Sequence, residues 1–173
     1  PERAFVIHDR VDTTDAAFLP KFVLQSPGKP ASASERLLAG NTPDDGILET
    51  TDATLVATYG RGRLTRRSLL PAAARTLKIG GTNFHWYVEE DGDQRDGFDG
   101  VNLVKGHGAP QRPISTRPGQ WRSETEPLTP TRTTRFLNVL LPRLADDAAP
   151  LPPAELLASA DDIHAVRVGA TVA

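Results

Sequence analysis

Apolar and polar residues along this chain repeat mostly with a period of two, in short runs cut by turn residues. Phe5-Val6-Ile7-His8 and Lys21-Phe22-Val23-Leu24-Gln25 are β-forming runs on either side of the turn-rich Asp12-Thr13-Thr14-Asp15, and are expected to form a hairpin or two neighbouring strands. Pro27-Gly28-Lys29-Pro30 ends the second run, and the polar stretch to Gly46 is expected to be an exposed excursion. Further strands are expected at 54–58, 64–70, 76–79, 85–88 and, weakly, 101–104, the last inside a long loop near 89–118. Gln120 to Thr125 and Thr134 to Leu141 form the clearest strand pair, and a Pro-rich link at 149–153 leads to a last alternating strand, His164 to Val168. Pro153 to Ala158 is the one helical rival, too short to change the class.

Roughly eight to ten such strands predict an all-β chain, an antiparallel β-sandwich of two packed sheets. Val6, Phe22, Leu24, Leu55, Leu69, Phe136, Leu137 and Val139 are the expected core. Fifteen prolines and fourteen glycines, scattered along the chain, work against long helices. With 173 residues, one sandwich domain spanning 1–173 is the expected organisation. The chain has no methionine, which leads to the expectation of a piece of a longer polypeptide.

The formal net charge of −2 gives no global attraction to nucleic acid or anionic membrane, so neither is an expected partner. No run nears the roughly 18 apolar residues of a membrane span. The lack of cysteine excludes disulfide scaffolds and cysteine-based metal or redox sites. His8, His85, His107 and His164 are widely separated and show no paired ligand spacing, so no metal site and no cofactor are expected. Asp44-Asp45 and Asp91-Gly92-Asp93 do not extend into a calcium loop, and Gly60-Arg61-Gly62-Arg63 lacks the spacing of a phosphate loop. No spacing defends a nucleophile, base and orienting group, so no catalytic residue is assigned.

Arg61, Arg63, Arg66 and Arg67, with Arg75 and Lys78 nearby, are the densest basic cluster. Arginine pairs bidentately with carboxylate and sulfate, which makes Arg61, Arg63 and Arg67 candidate binding residues for an acidic polysaccharide. Charges that guard an edge strand against aggregation would look the same. Trp121 is the candidate sugar-stacking platform, with Trp86-Tyr87 beside it in the same argument, but in a chain with only ten aromatics the core-anchor reading of all three comes first, since a sandwich of this size needs them.

Several blocks resemble the later β region of heparinase II/III-like polysaccharide lyases. Phe5 to Val11 is similar to a family strand ending in Asp-Arg-Val, and Pro20 to Ser26 to the strand that follows, with Gln25 where the family usually has histidine. Gly60 to Leu64, Leu69 to Pro71 and Lys78 to Gly81 form a second block; Gly119 to Glu124 and Arg135 to Leu140 form a third. The order and spacing match, and the resemblance covers most of the chain from Phe5 to Leu141.

The resemblance implies a C-terminal, noncatalytic β-sandwich part of an enzyme that cleaves uronate-containing polysaccharide by β-elimination. It further implies a secreted or periplasmic setting, and an upstream α-toroid and β region of the same polypeptide as partner. The family's catalytic residues lie upstream of the part resembled, so none is carried over. The alternative is an independent carbohydrate-binding module for acidic polysaccharide, which needs an exposed aromatic patch or a basic groove.

Overall fold

The computed structural model describes residues 3–81, 84, 120–160 and 163–172, and these form an all-β antiparallel sandwich. Its strands are β1 (Phe5–Asp12), β2 (Phe22–Ser26), β3 (Arg36–Thr42), β4 (Asp45–Thr50), β5 (Thr54–Tyr59) and β6 (Gly62–Leu70). They continue with β7 (Ala74–Gly80), β8 (Trp121–Pro127), β9 (Thr133–Leu144), β10 (Ala154–Ala160), β11 (Ile163–Val168) and β12 (Thr171–Val172). One sheet has the order β1-β9-β6-β5, the other β2-β8-β7-β4-β3, and β10-β11-β12 form a small third sheet.

Strand β9 sets the layering, because both of its faces are covered. Leu137, Val139 and Leu141 point to one side and form a cluster with Val166 and Val168 of β11, while Leu69, Leu70, Leu151, Ala154 and Leu156 pack around it. Thr134, Phe136 and Asn138 point to the other side and are also buried. The rings of Phe136 and Phe22 lie 6.2 Å apart, joining the four-stranded sheet to the five-stranded one. A continuous apolar run is what a strand between two layers requires.

The interface between the two large sheets is unusually polar. Alternation and register place Thr76, Lys78, Ser123, Thr125, Thr50 and Leu48 on the inner face of the five-stranded sheet. Arg66, 1% exposed, faces them from β6 and donates to Thr76 Oγ1 at 3.2 Å; Thr76 in turn shares a hydrogen bond of 2.8 Å with Thr125. Desolvation lowers the Arg66 pKa to about 10.

Of the expected core, Leu55, Phe136, Leu137 and Val139 are buried, and Phe22, Leu24 and Leu69 are half-buried. Val6 is 39% exposed, because β1 is an edge strand with only β9 beside it. The expected neighbours β1 and β2 lie in different sheets, as do β8 and β9. Strand β8 alternates one inner and one outer face, whereas β9 needs apolar cover on both, so each pairs where its pattern is satisfied.

The expected excursion before Gly46 is instead the hairpin β3-β4, turning at Pro43-Asp44. Its first strand, Arg-Leu-Leu-Ala-Gly-Asn-Thr, is exposed throughout and slips register twice, so no alternation marks it. The segment with the helical rival is strand β10, whose apolar side chains join the β9 cluster. The runs expected at 85–88 and 101–104 and most of the expected loop lie outside the described residues.

The two-sided burial of β9 predicts that Leu141→Ala lowers stability by about 2–5 kcal/mol. Leu128→Ala, at a position 55% exposed, should change it by less than about 0.5 kcal/mol. Urea denaturation of both variants checks this, and equal losses would contradict the layering.

Candidate anion-binding surfaces

The candidate arginines on β6 do not gather into one groove. Gly60 holds a φ of 55° at the first position of the two-residue turn between β5 and β6, a conformation glycine adopts without strain, and Arg61 follows it on the exposed tip. Arg63 and Arg67 point to the outer face of the four-stranded sheet and hold the Pro-rich link in place. Arg63 donates to the Asp147 carbonyl at 2.7 Å and Arg67 to the Pro152 carbonyl at 3.2 Å; Arg143 on β9 donates to the Ala149 carbonyl at 2.8 Å. Three guanidinium groups thereby satisfy backbone oxygens of a segment whose prolines cannot join a ladder. Arg66, between Arg63 and Arg67 in the same cluster, points the opposite way into the sandwich.

Trp121 lies on neither surface. Its indole is 5% exposed on the inner face of the other sheet, folded over Gly80, where any Cβ would collide with the ring. Lys29 Nζ sits 5.9 Å from the ring centroid. Trp86, Tyr87, His85 and His107 lie outside the described residues.

Two charge clusters emerge that no sequence spacing announced. The outer face of the five-stranded sheet carries a ladder of ion pairs running across strands. Arg36 on β3 donates to Glu49 at 2.8 Å, Arg75 bridges Glu49 at 3.2 Å and Glu126 at 2.6 Å, and Lys21 reaches Glu124 at 2.7 Å, where Arg122 also donates at 2.6 Å. The Glu124 carboxyl is held below its ordinary value: desolvation opposes this, but the hydrogen bond from Lys21 and the charges of Arg122 and Lys21 prevail. Inside, Lys78 is fully buried and donates to the Pro30 carbonyl at 3.0 Å and Ser32 Oγ at 2.7 Å, and it pairs with Glu35. Ala31 meanwhile exchanges backbone hydrogen bonds of 2.8 and 2.9 Å with Val56, so the connection from β2 to β3 is tied to both large sheets.

The second cluster lies at one end of the β1-β9 pair. Arg10 stands directly opposite Arg135 in the ladder register, and His8 lies on the same face one pair away. The His8 ring meets that of His164 from β11 edge-on, with centroids 4.7 Å apart. Asp12 pairs with Arg10 at 3.1 Å and accepts from Thr133 at 2.7 Å, and its carboxyl titrates below the ordinary range, chiefly because of that Thr133 hydroxyl. Two histidines far apart in sequence thus become neighbours. Among the described residues, no three His, Asp or Glu side chains converge as a metal-holding group.

No known family model matches the chain, and none of the curated proteins matches it.

Glu35 supplies a pH test. Burial opposes its ionisation, but hydrogen bonds from Lys29 and Lys78 and their charges outweigh it, so its folded-state pKa lies below the ordinary 4.5. The stabilisation is therefore fully present above pH 4.5 and is lost as pH falls through the folded pKa. Glu35→Gln should cost about 1.5–3 kcal/mol at pH 7 and should flatten the loss of stability below pH 4.5. Thermal unfolding between pH 3 and 7 measures both, and parallel profiles for the two proteins would contradict the assignment.

Proposed function

We propose that this chain is the noncatalytic C-terminal β-sandwich part of a heparinase II/III-like lyase, giving mechanical support and a contact surface for uronate-containing polysaccharide. The observation that carries this reading is where the resembling blocks fall. Gly60 to Pro71 and Arg135 to Leu140 lie on β6 and β9, which pair at the centre of one sheet. Lys78 to Gly81 and Trp121 to Glu124 lie on β7 and β8, which pair at the centre of the other. The resemblance therefore falls on residues that build the sandwich: the Gly60 turn, the Gly80-Trp121 contact and the two-sided strand β9. That is the expected location for a part whose task is support.

β-Elimination needs a base near C5, a donor to the leaving oxygen and a cation for the uronate carboxylate, all held in one cleft. Arg63 and Arg67 supply only the third kind of group, and both guanidinium groups already bond to backbone carbonyls. In this reading the base and the acid come from the upstream α-toroid and β region of the same secreted or periplasmic polypeptide. The second reading, an independent module for acidic polysaccharide, draws its support from the basic end of the β1-β9 pair.

The isolated chain should show no turnover of heparin, heparan sulfate, alginate or hyaluronan, followed as absorbance of the unsaturated product. Turnover that His8→Ala abolishes would overturn the reading. Calorimetric titration separates the two alternatives: submicromolar binding by the isolated chain favours a module, and weak binding favours a supporting part.

A further inference from the structure

We propose that the interface between the two large sheets is a binding site for a small monovalent anion of the chloride class, held by Arg66 of β6 and Asn138 of β9. The site is built from the sandwich interior and is independent of any polysaccharide ligand.

Arg66 is 1% exposed, and burial lowers its pKa only to about 10, so its guanidinium stays charged at neutral pH. A guanidinium carries five N–H donors and no acceptor. Here Nη2 donates to Thr76 Oγ1 at 3.2 Å, whereas Nε and Nη1 are buried and meet no acceptor of the protein. The residues directly opposite Arg66 in the ladder are Leu55 on β5 and Leu140 on β9, and both are apolar. Glu35, which meets the buried charge of Lys78, is bound to that lysine and to Lys29. A buried charge without a counter-charge is strongly destabilising, and so is each buried donor left unmet.

The second observation is on the neighbouring strand. Asn138, 1% exposed, lies on the same face as Arg66 and diagonally across from it, a spacing that long side chains can bridge. Ser68, directly opposite Asn138, donates from Oγ to its Oδ1 at 2.8 Å. That bond fixes the amide, and the Nδ2 donor is left buried without a partner. Two side chains on adjacent strands thus present three unmet donors to one interface. Facing them from the other sheet are the short side chains of Thr76, Ser123 and Thr125, of which Thr76 and Thr125 share a hydrogen bond of 2.8 Å.

A single acceptor between Arg66 and Asn138 answers both shortfalls if it carries negative charge. Water accepts hydrogen bonds but leaves the arginine uncompensated. A divalent oxyanion over-compensates, because Lys78, the other buried cation of this interface, already has Glu35. One monovalent ion balances the charge, and a spherical one accepts from donors that converge from different directions. The ion is enclosed as the sheets come together, so its binding free energy adds to the stability of the fold.

The test is thermal unfolding of the full chain in sodium gluconate and in sodium chloride at one ionic strength. The melting temperature is expected to rise by about 3 °C or more as chloride replaces gluconate from about 1 to about 100 mM. Arg66→Met, which removes the charge, should abolish this rise. Asn138→Asp, which sets a carboxylate beside Arg66, should abolish it too, and it decides the matter if Arg66→Met fails to fold. Arg36→Gln, on the outer face, should leave the rise unchanged. Equal stability in the two salts would overturn the site, and so would a chloride response that both interior variants retain. Crystals of the full chain grown in sodium bromide give the position: an anomalous peak is expected beside Arg66 Nε and Nη1, and a water there without anomalous signal would overturn the anion.

Discussion

The structure depends on one constraint: β9 must be covered on both faces. Its run Phe136-Leu137-Asn138-Val139 has no side to give to water, and all four residues are buried. The odd-numbered face is covered by β10 and β11, the even-numbered face by the five-stranded sheet. The other strands can follow from this requirement. β1 and β6 flank β9 to complete its ladder, and the Pro-rich link must be held down so that β10 and β11 reach the outer face. Arg63, Arg67 and Arg143 hold it.

That demand explains where the basic residues went. A cluster that reads as one patch along the sequence is divided by the two-residue period of β6. Arg63 and Arg67 turn outward to the link, and Arg66 turns inward to a polar interface of threonine and serine hydroxyls. The charge of buried Lys78 is met by the Pro30 carbonyl, the Ser32 hydroxyl and the Glu35 carboxylate at the sandwich edge.

Much of the architecture was legible in the sequence. The runs at 64–70, 76–79, 120–125 and 134–141 each mark an observed strand, because their side chains alternate against a core or, in β9, fill two. The all-β class and the antiparallel sandwich followed from them. The partners of β1 and β8 were not legible, since strand pairing is a matter of which face needs cover and local pattern carries no address. β3 escaped because its residues are exposed on both faces and bulged, and periodicity records only asymmetry of burial. The His8-His164 and Arg10-Arg135 meetings were hidden for the same reason as the pairings: they are products of register. A core-anchor role for Trp121 is legible in the sequence, but nothing there places its indole over Gly80.

Native-state hydrogen exchange of the backbone amides tests the central claim most directly. If two-sided cover of β9 organises the fold, the amides of Phe136 to Leu141 will be the slowest to exchange and will share one opening free energy with their neighbours on β6. That value will equal the stability measured by urea denaturation. Exchange of the β9 amides through openings well below the global stability, with β7 and β8 still protected, would contradict the account.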